Sequence, residues 1–175
     1  DRYNNPVWHI HGGFPPKSDL AVSFSMLLNL VSASGAESKE TLWGFLEKYI
    51  KNINPTTNPG LDLAADYAVA YYRDFVKPMK KFRMPEEKEA KALKELSIEL
   101  ADCDKNSTGE DLQKIVYAVG VRNNFDPLKI WFRAIYEVLL GESQGPRFGG
   151  FIALYGIEKT VVLIEKALST SSTEK

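Results

Sequence analysis

Apolar residues recur at three- and four-residue steps along most of this 175-residue chain, and proline, glycine and capping residues cut the pattern into short lengths. A 3.6-residue period puts such residues on one face of an α-helix, whereas a half-buried strand needs strict alternation, of which no useful length occurs here. The first fifteen residues carry turn formers and no helical period. Ser18 or Asp19 can then accept a backbone hydrogen bond and start a helix with Leu20, Phe24, Leu27, Leu28 and Val31 as its stripe, closed by Gly35. Ser38 starts a second, with Leu42, Phe45, Leu46 and Tyr49 on one side. The clearest break is residues 54–60, where Pro59 suits a first helical turn because its missing N–H is not needed there. A long helix is expected from there to about Lys77, ended by Pro78.

Glu86 and Glu87 complement the N-terminal dipole of the next helix, whose apolar face is Leu93, Leu96 and Leu100. Thr108 is the expected cap of a helix over 110–119, and Asp126-Pro127 of one over 128–140 that stops at Gly141. Residues 145–150 form a rigid turn into a short apolar helix ending near Gly156, followed by a last helix over 157–168 and a polar tail, 171–175, expected to be disordered. The pattern predicts an all-α fold, a helical bundle or cage of about seven to nine helices. Residues 1–54 read as a helical connector and 55–170 as a larger helical domain. The helix over 128–140 carries more rings than one stripe holds: Trp131 and Tyr136 cannot both share it with Phe132, Ile135 and Leu139, so one of them is expected to be exposed.

Chemistry-bearing motifs are few. No Ser-His-Asp or Cys-His set, paired carboxylates or cofactor fingerprint stands out, so no catalytic residue is assigned. His9 and His11, the only histidines, would need further ligands to hold zinc, and the single Cys103 and scattered acids do not supply them; no metal is expected. One thiol cannot form an internal disulfide, which fits a reducing cytoplasm. No run reaches the roughly 18 apolar residues of a membrane span, and the N-terminus lacks the order of a signal peptide. The opening Asp1-Arg2-Tyr3, without methionine, reads as a piece of a longer chain. The net charge of −1 points to an ordinary globular domain, since a phosphate-binding protein needs positive charge that here must be clustered locally.

That clustering is strongest at residues 73–83, where Arg73, Lys77, Lys80, Lys81 and Arg83 interleave with Phe75 and Phe82. Cations neutralise phosphates and ring faces stack unpaired bases, so the mixture suits a single-stranded RNA loop; it equally suits a solvated helix end. The glycine-rich run 145–150 lacks the Lys-Ser/Thr ending and preceding strand of a P-loop. It reads either as a tight helix-to-helix turn or as a loop presenting Arg147 and Phe148 to a partner.

Longer strings carry a family resemblance. Tyr72-Arg73-Asp74-Phe75-Val76-Lys77-Pro78 resembles a stretch of the class I lysyl-tRNA synthetases. So do Trp131-Phe132, Ile135-Tyr136-Glu137-Val138-Leu139-Leu140-Gly141, Gln144-Gly145-Pro146-Arg147-Phe148-Gly149 and Phe151-Ile152-Ala153-Leu154-Tyr155-Gly156-Ile157, which match that family's C-terminal ending. Residues 15–45, with Glu40-Thr41-Leu42-Trp43-Gly44-Phe45, are similar to the segment after its catalytic core. Gly150 stands where the family often has serine. The catalytic His-Ile-Gly-His-like and Lys-Met-Ser-Lys-Ser-like motifs do not occur; His9-Ile10-His11-Gly12 has the letters in the wrong order.

The resemblance implies that residues 55–170 form an anticodon-binding helical cage. ATP, lysine and the acceptor end of tRNA would then be bound by a catalytic domain upstream of Asp1, in a cytoplasmic lysine–tRNA ligase that engages neither membrane nor DNA. Lysine anticodons are rich in uridine, which offers one N–H between two carbonyls and stacks weakly. A pocket for it needs a ring platform, a donor and an acceptor. Gln144, Arg147, Phe148 and Tyr155 are the candidate base contacts, with Arg73, Lys77, Lys80, Lys81 and Arg83 on the phosphates. The rival reading is a helical protein–protein interaction module; a small-molecule-binding bundle would need a closed apolar pocket.

Overall fold

A computed structural model describes residues 21–170. Among these there are eight α-helices and no strand: α1 (Phe24–Ser34), α2 (Lys39–Tyr49), α3 (Pro59–Tyr71), α4 (Glu87–Asp102), α5 (Gly109–Arg122), α6 (Lys129–Leu139), α7 (Phe148–Tyr155) and α8 (Ile157–Thr170). The expected all-α class is what the chain adopts. His9 and His11, the Ser18 and Asp19 caps and the 171–175 tail lie outside the described residues.

Local chemistry sets most boundaries. The Ser23 hydroxyl accepts from Met26 N at 3.2 Å, so α1 begins at Phe24, later than a Ser18 or Asp19 start would place it. Gly35 ends it at φ 64°, a left-handed conformation glycine takes without steric cost, and its N–H reaches Val31 O. Ser38 caps α2 as expected. Glu86 with Glu89, and Thr108 with Asp111, form reciprocal capping boxes at the starts of α4 and α5. Asp126 does not cap α6, which starts one residue late with Leu128 at its cap position. α5 continues to Arg122 through Gly120, where a side chain would overlap the Trp131 ring.

The helix expected to reach Lys77 changes character sooner. α3 is regular to Tyr71, widens into a single π turn over Tyr72–Val76 and tightens into a 3-10 turn over Lys77–Met79. Pro78 offers no N–H to the Asp74 carbonyl and crowds that turn, so the regular ladder cannot pass it. Residues 80–86 then cross the bundle as an extended strap.

α7 lies at the centre of the packing. It touches α1, α2, α5 and α8, and it is apolar on every side, as a helix surrounded by others must be. Its close approach to α5 depends on Gly149: a Cβ there would overlap the Gln113 amide nitrogen and the Gly109 carbonyl and sit 2.7 Å from Gln113 Cα. One hydrophobic cluster runs from Val22 to Ile164, so Leu27, Leu30, Leu42 and Leu46 share a core with Leu61, Phe151 and Ile152 across residues 54 and 55. Trp43 Nε1 (2.9 Å) and Lys39 Nζ (2.8 Å) both donate to Asp62, tying α2 to α3 over the same break. No described helix is long and apolar enough to cross a membrane.

Both rings of α6 that competed for one stripe are buried, which corrects the expectation that one would be exposed. Trp131 turns toward α5, donating Nε1–H to Val116 O at 2.9 Å and stacking on Phe125. Tyr136 turns toward residues 145–146, its hydroxyl donating to the Pro146 carbonyl. A helix covered on two sides has two buried stripes, and the pattern of one helix alone cannot reveal the second.

Candidate nucleic-acid interface

The basic run divides between the strap's two sides. Arg83 faces inward: Nη1 and Nη2 donate to Glu89 at 2.6 and 2.8 Å, and Nε donates to Glu137 at 2.6 Å. The Glu89 carboxylate, then Glu137, hold its guanidinium above the ordinary arginine range. It is therefore a structural anchor and not free for a phosphate. Lys80 also turns in, donating to Ser32 O at 3.1 Å, with its ammonium 5.2 and 5.0 Å from the Tyr72 and Phe82 ring centres. Burial pushes its pKa down, and Glu142 opposes that shift. The Lys81 N–H donates to Gly141 O at 3.2 Å while its side chain points to solvent. Arg73 is exposed and paired with its neighbour Asp74. Lys77 and Lys81 have exposed side chains with no ion pair among the described residues.

The loop after α6 presents a second group. Gly141 at φ 69° turns the chain, and Gly145 lies so close to the Tyr136 ring that a Cβ would overlap it. The Gly149 N–H donates to Gln113 Oε1 at 2.8 Å. The glycine-rich run is thus a packing turn, and it leaves Gln144 and Arg147 outside.

Two of the candidate base platforms are in the core. Phe148 is 1% exposed, edge-on to Tyr136 and stacked on Phe151 at 5.2 Å. Tyr155 is 9% exposed, stacked between Phe151 and Phe45, with its hydroxyl 3.3 Å from Ala33 O and its phenol pKa pushed up by burial. Neither face of these rings can receive a base. Both lie on α7, whose central position the sequence did not disclose.

Other rings occupy the surface. A cleft of about 1060 Å³ lies between α5 and α6, walled by Gln113, Lys114 and Tyr117 on one side and Lys129, Phe132 and Arg133 on the other, and closed by the 143–148 loop with Gln144 and Arg147. A second cleft of about 920 Å³ lies beside the strap, with Tyr71, Phe75, Lys80, Lys81, Phe82, Arg83 and Glu142 on its walls. The clefts share Arg133, Ser143 and Gln144, so Gln144 stands at their junction. The fold therefore brings Lys80, Lys81, Arg83, Gln144 and Arg147 along one continuous depression. Arg73, Lys77 and Tyr155 line neither cleft.

Tyr117 (54% exposed) and Phe75 (62% exposed) offer open ring faces. Phe75 stood inside the basic-aromatic run but was not among the candidate contacts. Tyr117, Lys129 and Phe132 went unremarked as ligand contacts, since the spacing of either helix alone gives no sign that they face one another.

The fold and the depression define a class: an all-α bundle with a cation-rich surface cleft lined by rings and amides. Comparison with curated proteins gives the particular kinship. The chain is 58% identical over 168 residues to the lysine–tRNA ligase of Roseobacter denitrificans, covering 96% of this chain and 32% of that protein. It is 40% identical to the lysine–tRNA ligases of Rickettsia peacockii and Rickettsia conorii, in each case over 95% of this chain and 32% of the relative. The chain is thus homologous to about one third of a lysine–tRNA ligase. No protein-family model matches it.

Proposed function

We propose that this chain is the C-terminal, anticodon-reading part of a class I lysine–tRNA ligase. On this reading, ATP and lysine are bound, and the ester to tRNA is made, in the two thirds of the relatives' length that it does not span. The observation that carries the reading is the pair of joined clefts: exposed rings, amides and cations meet along one depression at Gln144. An unpaired loop needs those three kinds of group for stacking, base-edge recognition and phosphate neutralisation. Gln144 supplies both an amide donor and an acceptor, matching the carbonyls and N–H of uracil, and Arg147 supplies further donors. Lys81, within the depression, and Lys77 and Arg73, outside its walls, are the proposed phosphate contacts. Kinship with proteins named lysine–tRNA ligase supports the choice of tRNA over other RNA.

A second reading is favoured by one feature. Leu63, Tyr67, Tyr71, Phe75 and Met79 recur at four-residue steps and all are exposed, an apolar ridge that a protein partner could cover.

Titrating the 175-residue chain with fluorescent lysine and non-lysine anticodon stem-loops tests the proposal. Selective binding of the lysine loop is expected, with Arg147→Ala weakening that loop several-fold and leaving the melting temperature unchanged. Equal affinity for both loops would refute base reading.

A further inference from the structure

The α5–α6 cleft is built differently from the cleft beside the strap, and none of Gln113, Lys114, Tyr117, Lys129 or Phe132 entered the reading above. Each wall offers a ring one helical turn from a cation: Lys114 with Tyr117 on α5, Lys129 with Phe132 on α6. Four cations line it (Lys114, Lys129, Arg133 and Arg147) and no carboxylate does. Arg133 is held by Glu137 and Lys114 by Asp111, but Lys129 and Arg147 have no ion pair among the described residues. The cleft beside the strap, by contrast, has Glu137 and Glu142 in its lining. An anionic ligand with a flat face fits the first cleft better than a metal ion, which would look for carboxylates that the lining lacks.

Gln113 Oε1 is engaged by the Gly149 N–H, leaving the amide's N–H groups to face a ligand. Gln113 therefore offers the cleft donors and no free acceptor, which suits a base presenting carbonyl oxygens. We infer that one unpaired nucleotide lodges between α5 and α6, its base against the Tyr117 and Phe132 rings and its phosphates on Lys114 and Lys129. The strand continues over Gln144 into the second cleft, so bases fall on both sides of that ridge. This rests on the anticodon-loop reading and deepens it, giving the loop a site that the basic run of residues 73–83 does not touch.

The test uses the 175-residue chain with a lysine anticodon stem-loop and a series in which each unpaired base in turn is removed to leave an abasic sugar. Tyr117→Ala should weaken the intact stem-loop about 5- to 150-fold, the range for one stacked base, with an unchanged melting temperature. At one abasic position the wild-type chain should show a comparable loss, and Tyr117→Ala should add nothing further there. Lys129→Gln should lower the slope of log affinity against log salt by about 0.7, one single-strand phosphate contact. If Tyr117→Ala and every abasic substitution lose affinity independently, the nucleotide is elsewhere and the inference falls while the RNA reading stands. If the wild-type chain binds neither stem-loop, the RNA reading itself falls; if it binds lysine and non-lysine stem-loops equally, base reading falls and the anticodon proposal with it.

Discussion

Replacing Arg83 with methionine isolates the part of the basic run that the structure assigns to stability. Methionine keeps an apolar stem and removes the guanidinium. Glu89, whose side chain is 6% exposed, would lose both of its arginine bonds and retain only the Glu86 N–H at 2.8 Å; Glu137 would keep Arg133. Breaking a buried pair from one side costs about 3–5 kcal/mol. The Arg83 side chain is 35% exposed, and solvent screening reduces that to about 2–3 kcal/mol. For a chain of this size each kcal/mol moves the melting temperature by about 2–4 °C, so a fall of about 4–12 °C is expected at neutral pH by calorimetry or circular dichroism. Arg73→Met, whose Asp74 partner is exposed, is the control and should stay within about 2 °C.

The pH dependence checks the cause. Burial by itself lifts the Glu89 carboxyl, but the Arg83 and Glu86 hydrogen bonds outweigh it and hold the group below the ordinary carboxylate range. A depressed folded pKa gives stability that is present above the unfolded value of about 4.3 and lost as pH falls through the folded one. Without Arg83, burial and the nearby Glu137 dominate and the folded pKa rises above the unfolded one. The variant's contribution then runs the other way, present at low pH and lost as pH rises. The gap between variant and wild type should thus be widest near pH 7 and narrow toward pH 4. A gap equal at both pH values, or below about 2 °C at pH 7, would refute the assignment of Arg83 as an anchor.

Two substitutions test the core placement of the glycine-aromatic run. Phe148→Ala should cost about 3–5 kcal/mol, the usual loss for a buried phenylalanine, read as a large fall in denaturant midpoint; a variant of normal stability that had lost RNA binding would return the ring to the surface. Gly149→Ala should destabilise by roughly 1–3 kcal/mol, because the new methyl meets the α5 backbone at Gln113 and Gly109 instead of a side chain that could swing away.

The helices were readable wherever local backbone chemistry decides. Gly35, Ser38, Pro59, Thr108 and Gly156 act through their own dihedrals or their own side-chain oxygens, and each stands at the boundary where it was expected. The candidate site was readable only in part, because residue type sets what a side chain can do and packing decides whether it is available. Lys80 and Arg83 looked like Lys77 and Lys81 in the sequence. They differ because the strap crosses Ser32, Glu89 and Glu137, two of which are about fifty residues away in the chain. Phe148 and Tyr155 had suitable chemistry but lie on α7, a helix that others surround. Tyr117 and Phe132 became a pair of walls only when α5 and α6 came together.

The near-neutral total charge says less about a phosphate-binding surface than the placement of the charges does, since several acids sit with cations of their own away from the α5–α6 cleft lining. Asp62 is taken by Lys39, Glu95 and Glu99 by Arg122, Glu158 by Lys105, and Glu89 by Arg83. At physiological ionic strength a charge is screened over about 8 Å, so acids beyond that distance scarcely cancel the field inside the α5–α6 cleft. Asp111 and Glu137 lie within that range and offset Lys114 and Arg133, so a phosphate there would respond chiefly to Lys129 and Arg147. The same distribution limits what the chain can gain from phosphates at large. With a formal net charge of −1 its sequence-independent affinity should be low, and its selectivity should fall chiefly on the bases, where Gln144 and the exposed rings stand.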